Sequence, residues 1–265
     1  MKFCVLGSGS KGNCTLVESG STTILIDAGF SGKEIRRRMA LINRSPEEIS
    51  AILVTHEHGD HISGVGVLSR RCNLPVYANC STHLASESRV KKLYKRVEFG
   101  TGESFVVDDL EIHPFRISHD TADPVGFVVS DGGSAVGYCT DTGRVTKLIA
   151  HHVRKCRALI LEANHDPQML MDGPYPMFLK QRVRSSQGHL ANGDAACFLA
   201  ELVNSSLQYV VLAHLSETNN LPEIALARVQ EELQSLKIGF QITLAGQADP
   251  TQVFSIGNGR DGHLV

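Results

Sequence analysis

The sequence predicts a single layered α/β domain over residues 1–265. Three observations carry the prediction. Short β-rich runs fill two separate regions, one ahead of the first helices and one from residue 97 to residue 139. The second half alternates buried strands with helices, and no repeat of about 20–50 residues or low-complexity linker divides the chain. In order, Phe3-Cys4-Val5-Leu6, Thr15-Leu16-Val17 and Thr22-Thr23-Ile24-Leu25-Ile26 are runs separated by Gly and Ser clusters, as in strands joined by hairpins. Residues 33–42 have helical spacing; Ala51-Ile52-Leu53-Val54 is a buried strand, and residues 62–71 can form the next helix. Strands return at 110–113, 125–129 and 135–139. Helices are expected at 192–204, with Asn192 as N-cap and Asp194 at its start, and at 222–237, where Pro222 suits a first turn. Buried strands at 157–162, 208–213 and 240–243 alternate with them, which puts helices outside sheets.

Composition excludes several classes. With 42% hydrophobic residues and no Trp the chain is ordinary for a soluble enzyme. Lys plus Arg number 26 against 28 Asp plus Glu, so any nucleic-acid contact must be local. The longest apolar runs, such as Tyr209-Val210-Val211-Leu212-Ala213, fall far short of the ~20 residues that span a bilayer, so no membrane partner is expected. Met1-Lys2-Phe3 leads into a strand-like run rather than a signal-peptide core, and a cytoplasmic protein is expected. Seven Cys without a C-x-x-C pair read as reduced, mostly buried small hydrophobes.

The chemistry lies in His56-Glu57-His58-Gly59-Asp60-His61, directly after the strand at 51–54. In an irregular loop after a rigid strand, His56, His58, Asp60 and His61 can converge on one point, and imidazole with carboxylate suits zinc, manganese or iron. A pair of metals needs more ligands at the ends of later strands. His119, Asp141 and His214 each sit where a hydrophobic run gives way to small or polar residues.

With Asp27 upstream in Ile-Asp-Ala-Gly, this set resembles the metallo-β-lactamase superfamily of binuclear hydrolases. The resemblance implies a four-layer αββα sandwich with the site at one edge of two sheets. It also implies His56, His58 and His119 on one metal, Asp60, His61 and His214 on the other, Asp141 bridging, and Asp27 supporting the ligand loop from behind. Two divalent ions about 3.5–4 Å apart would make a bridging hydroxide available near neutral pH and stabilise charge on a phosphodiester.

The interval from Asp141 to His214 is too short for the inserted cap of the β-CASP nucleases, and the long Gly/Pro-rich arm of RNase Z is missing. The lack of an export signal argues against an antibiotic-degrading lactamase, and His58 stands where the diiron oxygen-reducing branch carries Glu. Gly7-Ser8-Gly9-Ser10-Lys11-Gly12-Asn13, Leu161-Glu162-Ala163-Asn164-His165-Asp166, Gly188-His189-Leu190-Ala191-Asn192 and Ala213-His214-Leu215-Ser216-Glu217-Thr218-Asn219-Asn220 resemble the YycJ-type branch. Ala191 departs from the Ser expected there. That branch implies a DNA nuclease, with a 5′ to 3′ exonuclease mode as the leading reading. By analogy with RNase Z, His189 is the candidate general acid and Glu162 its orienting partner; with Asp60 they form the candidate catalytic set.

Gly7 to Gly12 also matches G-x-G-x-x-G, but residues 13–21 leave no room for a crossover helix, so dinucleotide binding is set aside. Ser8, Ser10 and Asn13 could instead approach a substrate phosphate, as could Lys180 and Arg184, which would share a helix face before His189. Arg36-Arg37-Arg38 and the basic residues at 91–96 read as solvated helix faces. His83, His113, His151, His152, His165 and His263 receive no ligand role, although His165 lies close in sequence to Glu162. Competing readings are a hydrolase of small cyclic or nucleotide phosphodiesters, a thiolester or lactone hydrolase, and a non-catalytic regulatory module stabilised by metal.

Overall fold

Strand β1 (Lys2–Gly7) sends Phe3 and Val5 to one side and Cys4 and Leu6 to the other, and all four are buried. A strand apolar on both faces must be covered on both. The same double burial recurs in the second half, where Ile160 and Leu161, or Val211 and Leu212, belong to different hydrophobic clusters.

The computed structural model describes residues 1–257, so His263 lies outside the described residues. β1 continues into β2 (Cys14–Ser19), β3 (Thr22–Ile26), β4 (Ala51–Leu53), β5 (Pro75–Ala78) and β6 (Lys95–Glu98). A second series comprises β7 (Phe105–Val107), β8 (Leu110–Arg116), β9 (Val125–Ser130), β10 (Ala135–Cys139), β11 (Ala158–Glu162), β12 (Tyr209–Ala213) and β13 (Gln241–Leu244); β14 (Phe254–Ser255) returns to the edge of the first sheet. The two seven-stranded sheets run β14-β1-β2-β3-β4-β5-β6 and β13-β12-β11-β10-β9-β8-β7. Each is antiparallel in one part and parallel in the other, with β3 to β6 parallel in the first and β10 to β13 in the second.

Between the sheets lies a core of Phe3, Val17, Ile24, Leu53, Ile112, Phe127, Tyr138 and Val211 with their neighbours. On the outer face of the first sheet pack α1 (Gly32–Leu41), α2 (Gly59–Ile62), α3 (Val65–Cys72) and α4 (Cys80–Val90), through Ile35, Met39, Ile62, Leu68 and Val90. After α5 (Lys147–Val153), α6 (Pro167–Asp172) and α7 (Met177–Val183) come α8 (Asn192–Glu201) and α9 (Pro222–Leu233). Ile149, Phe198, Leu199 and Val229 from this group cover the outer face of the second sheet. The order is α, β, β, α, as the resemblance implied. Each fully buried aliphatic or Phe side chain contributes roughly 1.5–3 kcal/mol to holding the layers together.

Several local expectations need correction. The segment at 59–62 is a single helical turn rather than irregular, and the following helix begins only at Val65. The N-cap of α8 is Ala191, not Asn192, whose side chain pairs with Asn220 instead. Four of the seven cysteines are buried, Cys72 is half-buried, Cys80 and Cys197 are exposed, and all are free.

β1, β3 and β4 point the same way, as do β8, β10, β11 and β12. The candidate residues therefore emerge at carboxyl ends of strands. Asp27 after β3, Asp141 after β10 and His214 after β12 all adopt left-handed backbone, with φ of 59°, 57° and 55°. Asp and His tolerate that region better than most residues, at a cost of about 1–3 kcal/mol each, which the surrounding structure must offset.

Candidate metal centre

β4 delivers Thr55 and His56 into the inter-sheet edge, and the turn of α2 brings Asp60 and His61 back toward them. Gly29, from Ile-Asp-Ala-Gly, makes this return possible: a Cβ there would lie 1.7 Å from the Asp60 carbonyl oxygen, so only hydrogen fits. Asn13 closes the loop from the other side. Its backbone N–H donates to the Asp60 carbonyl at 2.7 Å, and its side-chain amide faces Asp60 Oδ2 at 3.2 Å and His61 Nε2 at 3.1 Å.

The second sheet supplies the rest. His56, His58 and His119 offer ligand atoms that all lie within 4.8 Å of one another, and so do Asp60, His61 and His214. Asp141 faces both groups: its Oδ2 is 3.4 Å from His61 Nε2, and its Oδ1 is 3.9 Å from His119 Nε2 and 3.5 Å from His214 Nδ1.

Hydrogen bonds behind these groups fix which nitrogen each ring presents. Asp27, fully buried, accepts from His61 Nδ1 at 2.7 Å and from the Thr55 backbone N–H and hydroxyl at 2.9 Å each. Because that hydroxyl donates to Asp27, it accepts from His56 Nδ1 at 2.9 Å. One carboxylate thus orients two imidazoles, one of them through Thr55. His119 Nδ1 donates to the Gly188 carbonyl at 3.1 Å, leaving Nε2 toward Asp141. His56 Nε2, His214 Nε2 and Asp141 Oδ2 are buried without a hydrogen-bond partner among the described residues. Unsatisfied buried donors and acceptors are costly, and each of these three residues belongs to a His/Asp group whose ligand atoms lie within 4.8 Å of one another, where a cation would satisfy it. The residues fit divalent metals.

The electrostatics agree. Burial pushes His56 well below the usual imidazole value, so its ring is neutral, the form that can offer a lone pair to a cation. Burial also disfavours charge on His61 and His214, but Asp141 and the neighbouring carboxylates overcome it and raise both, His214 to about 10. Where ring protons now balance those carboxylates, a metal would displace them.

Glu162, fully buried at the end of β11, accepts four hydrogen bonds: from His189 Nδ1 and His214 Nδ1 at 2.8 Å each on Oε1, and from the Thr142 and Leu190 backbone N–H groups at 2.9 Å each on Oε2. Burial opposes its charge, yet the two histidines hold its carboxyl down at about 2. His189 remains partly accessible, with a side-chain exposure of 19%. Beneath His214, Asn164 donates to the His214 carbonyl at 2.8 Å, and Asn220 bonds the Ala163 and Asn164 carbonyls and Asn192. The segments around Glu162, His189 and His214 therefore meet in one buried amide network.

Other candidates fare differently. Ser8 is buried, donating to Asn13 Oδ1 at 2.8 Å and accepting from the His214 N–H at 2.9 Å. Ser8 and Asn13 thus bind the glycine-rich turn to the metal loops rather than facing substrate, while Ser10 is exposed. The Lys180 ammonium donates to the Met171 carbonyl at 2.6 Å and the side chain is buried, which removes it from the phosphate set. Arg184 lies at the end of α7 rather than on its face, exposed, and lines the hollow beside His189. Arg36 and Arg37 pair with Glu47 and Glu34, whereas Arg38 is buried against Phe30 and the Leu6 carbonyl. Sequence reasoning missed Thr55, whose only signal was its position before the histidine run, and Glu57, which turns away to accept from the Ala122 N–H.

A family model for the beta-lactamase superfamily domain matches residues 22–215. The chain belongs to this superfamily. Within it, the chain is 36% identical to exodeoxyribonuclease YycJ of Bacillus anthracis over 259 residues, covering 96% of this chain and 98% of that protein. It is 37% identical to exodeoxyribonuclease WalJ of Streptococcus pneumoniae serotype 2, covering 90% of each. The metallo-β-lactamase fold protein YhfI from Bacillus subtilis superposes with a TM-score of 0.71 at 18% identity, over 95% of this chain and 99% of that one, a likeness of fold. No helix among the described residues is long and apolar enough to cross a membrane.

Replacing Asp27 with Asn should weaken metal binding about 10–100-fold, because the group that fixes the His61 and His56 rings loses its charge. Competition against a chromogenic chelator measures this directly; an unaltered affinity would show that Thr55 and the backbone suffice to orient both rings.

Proposed function

We propose that the chain, as one catalytic domain, is a metal-dependent DNA exonuclease running 5′ to 3′. The observation that carries this reading is the His189–Glu162 pair set against the His/Asp cluster, with Asp141 Oδ1 3.9 Å from His189 Nδ1. The names of the two bacterial relatives support the substrate. His56, His58 and His119 would hold one divalent ion and Asp60, His61 and His214 a second, with Asp141 between them; the donor set suits zinc or manganese, and iron is within its range. Bound there, the ions would supply an acidified water and positive charge for the phosphodiester oxygens.

The protein's own groups do the rest. Glu162 takes the Nδ1 proton of His189 in a hydrogen bond, which fixes the ring and leaves Nε2 to deliver a proton to the departing oxygen. The same carboxylate orients His214, so the acid and one ligand are positioned together. Asp27 and Thr55 hold the facing pair His61 and His56. The seven free cysteines suit a reducing, cytoplasmic setting.

Digestion of an end-labelled DNA duplex with zinc or manganese tests the reading. Label at the 5′ end should be released first, as mononucleotide. A ladder shortening from the 3′ end would reverse the polarity, and turnover of cyclic nucleotides with DNA untouched would move the protein to small-phosphodiester hydrolysis.

A further inference from the structure

The hairpin of α6 and α7 takes no part in the chemistry above, yet its surface is unusual. Met171, Met177 and Phe178 are exposed at 38%, 57% and 72%, and Phe178 is the most exposed large hydrophobic residue among those described. Such side chains on a loose loop would say little, but this hairpin is anchored. Leu170 is fully buried and Val183 is buried, Asp166 caps α6 by accepting from the Gln168 and Met169 N–H groups, and Lys180 ties α7 to the Met171 carbonyl. Arg182 binds Asp120, the neighbour of His119, through contacts of 2.5 and 3.1 Å. The apolar knob is therefore held in register with the metal-site loops.

Arg184 connects the knob to the site. It lines a hollow of about 240 Å³ together with His189, His165 and Asp194, without an ion pair to that carboxylate, and an adjoining hollow of about 230 Å³ together with Met171, Met177 and Gln181. Its guanidinium approaches Met171 Sδ at 3.3 Å and forms no ion pair among the described residues. An exposed arginine without a carboxylate partner suits a backbone phosphate, and an exposed ring suits the face of any base.

We propose that the α6–α7 hairpin is the platform for the unpaired substrate strand, with Arg184 on a phosphate next to the scissile one and a base stacked on Phe178 beside Met177. This rests on the nuclease reading and extends it: the substrate would be gripped as a single strand without regard to sequence, because stacking on a phenyl ring and contact to phosphate read no base edge.

The test uses metal-loaded protein and a fluorescent oligothymidylate with phosphorothioate linkages, read by anisotropy, alongside steady-state hydrolysis of unmodified DNA and of bis(p-nitrophenyl) phosphate. Phe178→Ala should weaken oligonucleotide binding and raise KM for DNA about tenfold, leaving kcat and hydrolysis of the small ester unchanged. Phe178→Tyr should restore binding, and Arg184→Ala should lower the salt slope of binding by about one. Unchanged oligonucleotide binding in Phe178→Ala, equal losses on DNA and the small ester, or sedimentation showing that Phe178 mediates pairing with a second copy would each overturn the platform. Phe178-dependent binding by a wild-type protein that hydrolyses no DNA would uphold the platform and remove the nuclease reading. DNA hydrolysis indifferent to Phe178→Ala would do the reverse.

Discussion

Asp141→Ala should abolish phosphodiester hydrolysis and strip metal from the protein. The carboxylate is almost fully buried and faces His61, His119, His189 and His214 between 3.4 and 3.9 Å, so its removal withdraws the one group common to both candidate ion positions. Loss of a group that merely supports a ligand costs about 10–100-fold in affinity or activity; loss of a shared ligand should exceed that, on the order of a thousandfold or more in rate. Metal content by mass spectrometry and rate on bis(p-nitrophenyl) phosphate give the two readouts. Asp141→Asn is the better comparator, since Asn keeps the shape and tolerates the left-handed backbone at this position. Full activity in a metal-depleted Asp141→Ala protein would rule out the mechanism.

His189→Ala should slow cleavage of DNA, whose leaving alkoxide needs a proton, by about 10²–10⁴-fold, while hydrolysis of an ester with a p-nitrophenolate leaving group falls far less. The contrast follows from geometry: His189 is the partly accessible member of the pair, and its Nδ1 is committed to Glu162 at 2.8 Å. Variants of Glu162 cannot make this distinction, because Oε1 also holds His214 and their loss would mix proton delivery with metal affinity. Equal rates for wild type and His189→Ala on an alkyl leaving group would remove the acid role.

The His56 to His61 run was legible because its spacing is local, and the later site residues because hydrophobic strands stop where the chain must turn. What the sequence hid depends on contacts between distant segments. Nothing in Lys180 itself reveals that its ammonium meets the Met171 carbonyl across a hairpin, nor in Ser8 that its hydroxyl accepts from His214. The left-handed backbone at Asp27, Asp141 and His214 is likewise invisible in residue type, since Asp and His also serve in ordinary caps and turns. Helices α4 to α6 were passed over because α5 and α6 are very short and α4 is largely polar, with weak apolar periodicity.

The two sheets divide the candidate ligands between them, His56 to His61 on the first and His119, Asp141 and His214 on the second, with His214 reached only at the end of β12. During synthesis the ribosome must release more than three-quarters of the polypeptide before the final imidazole can join the others. A nascent chain that stops short of β12 therefore lacks one of the candidate ligands, and tight metal uptake is expected only once residue 214 has joined the first sheet's histidines.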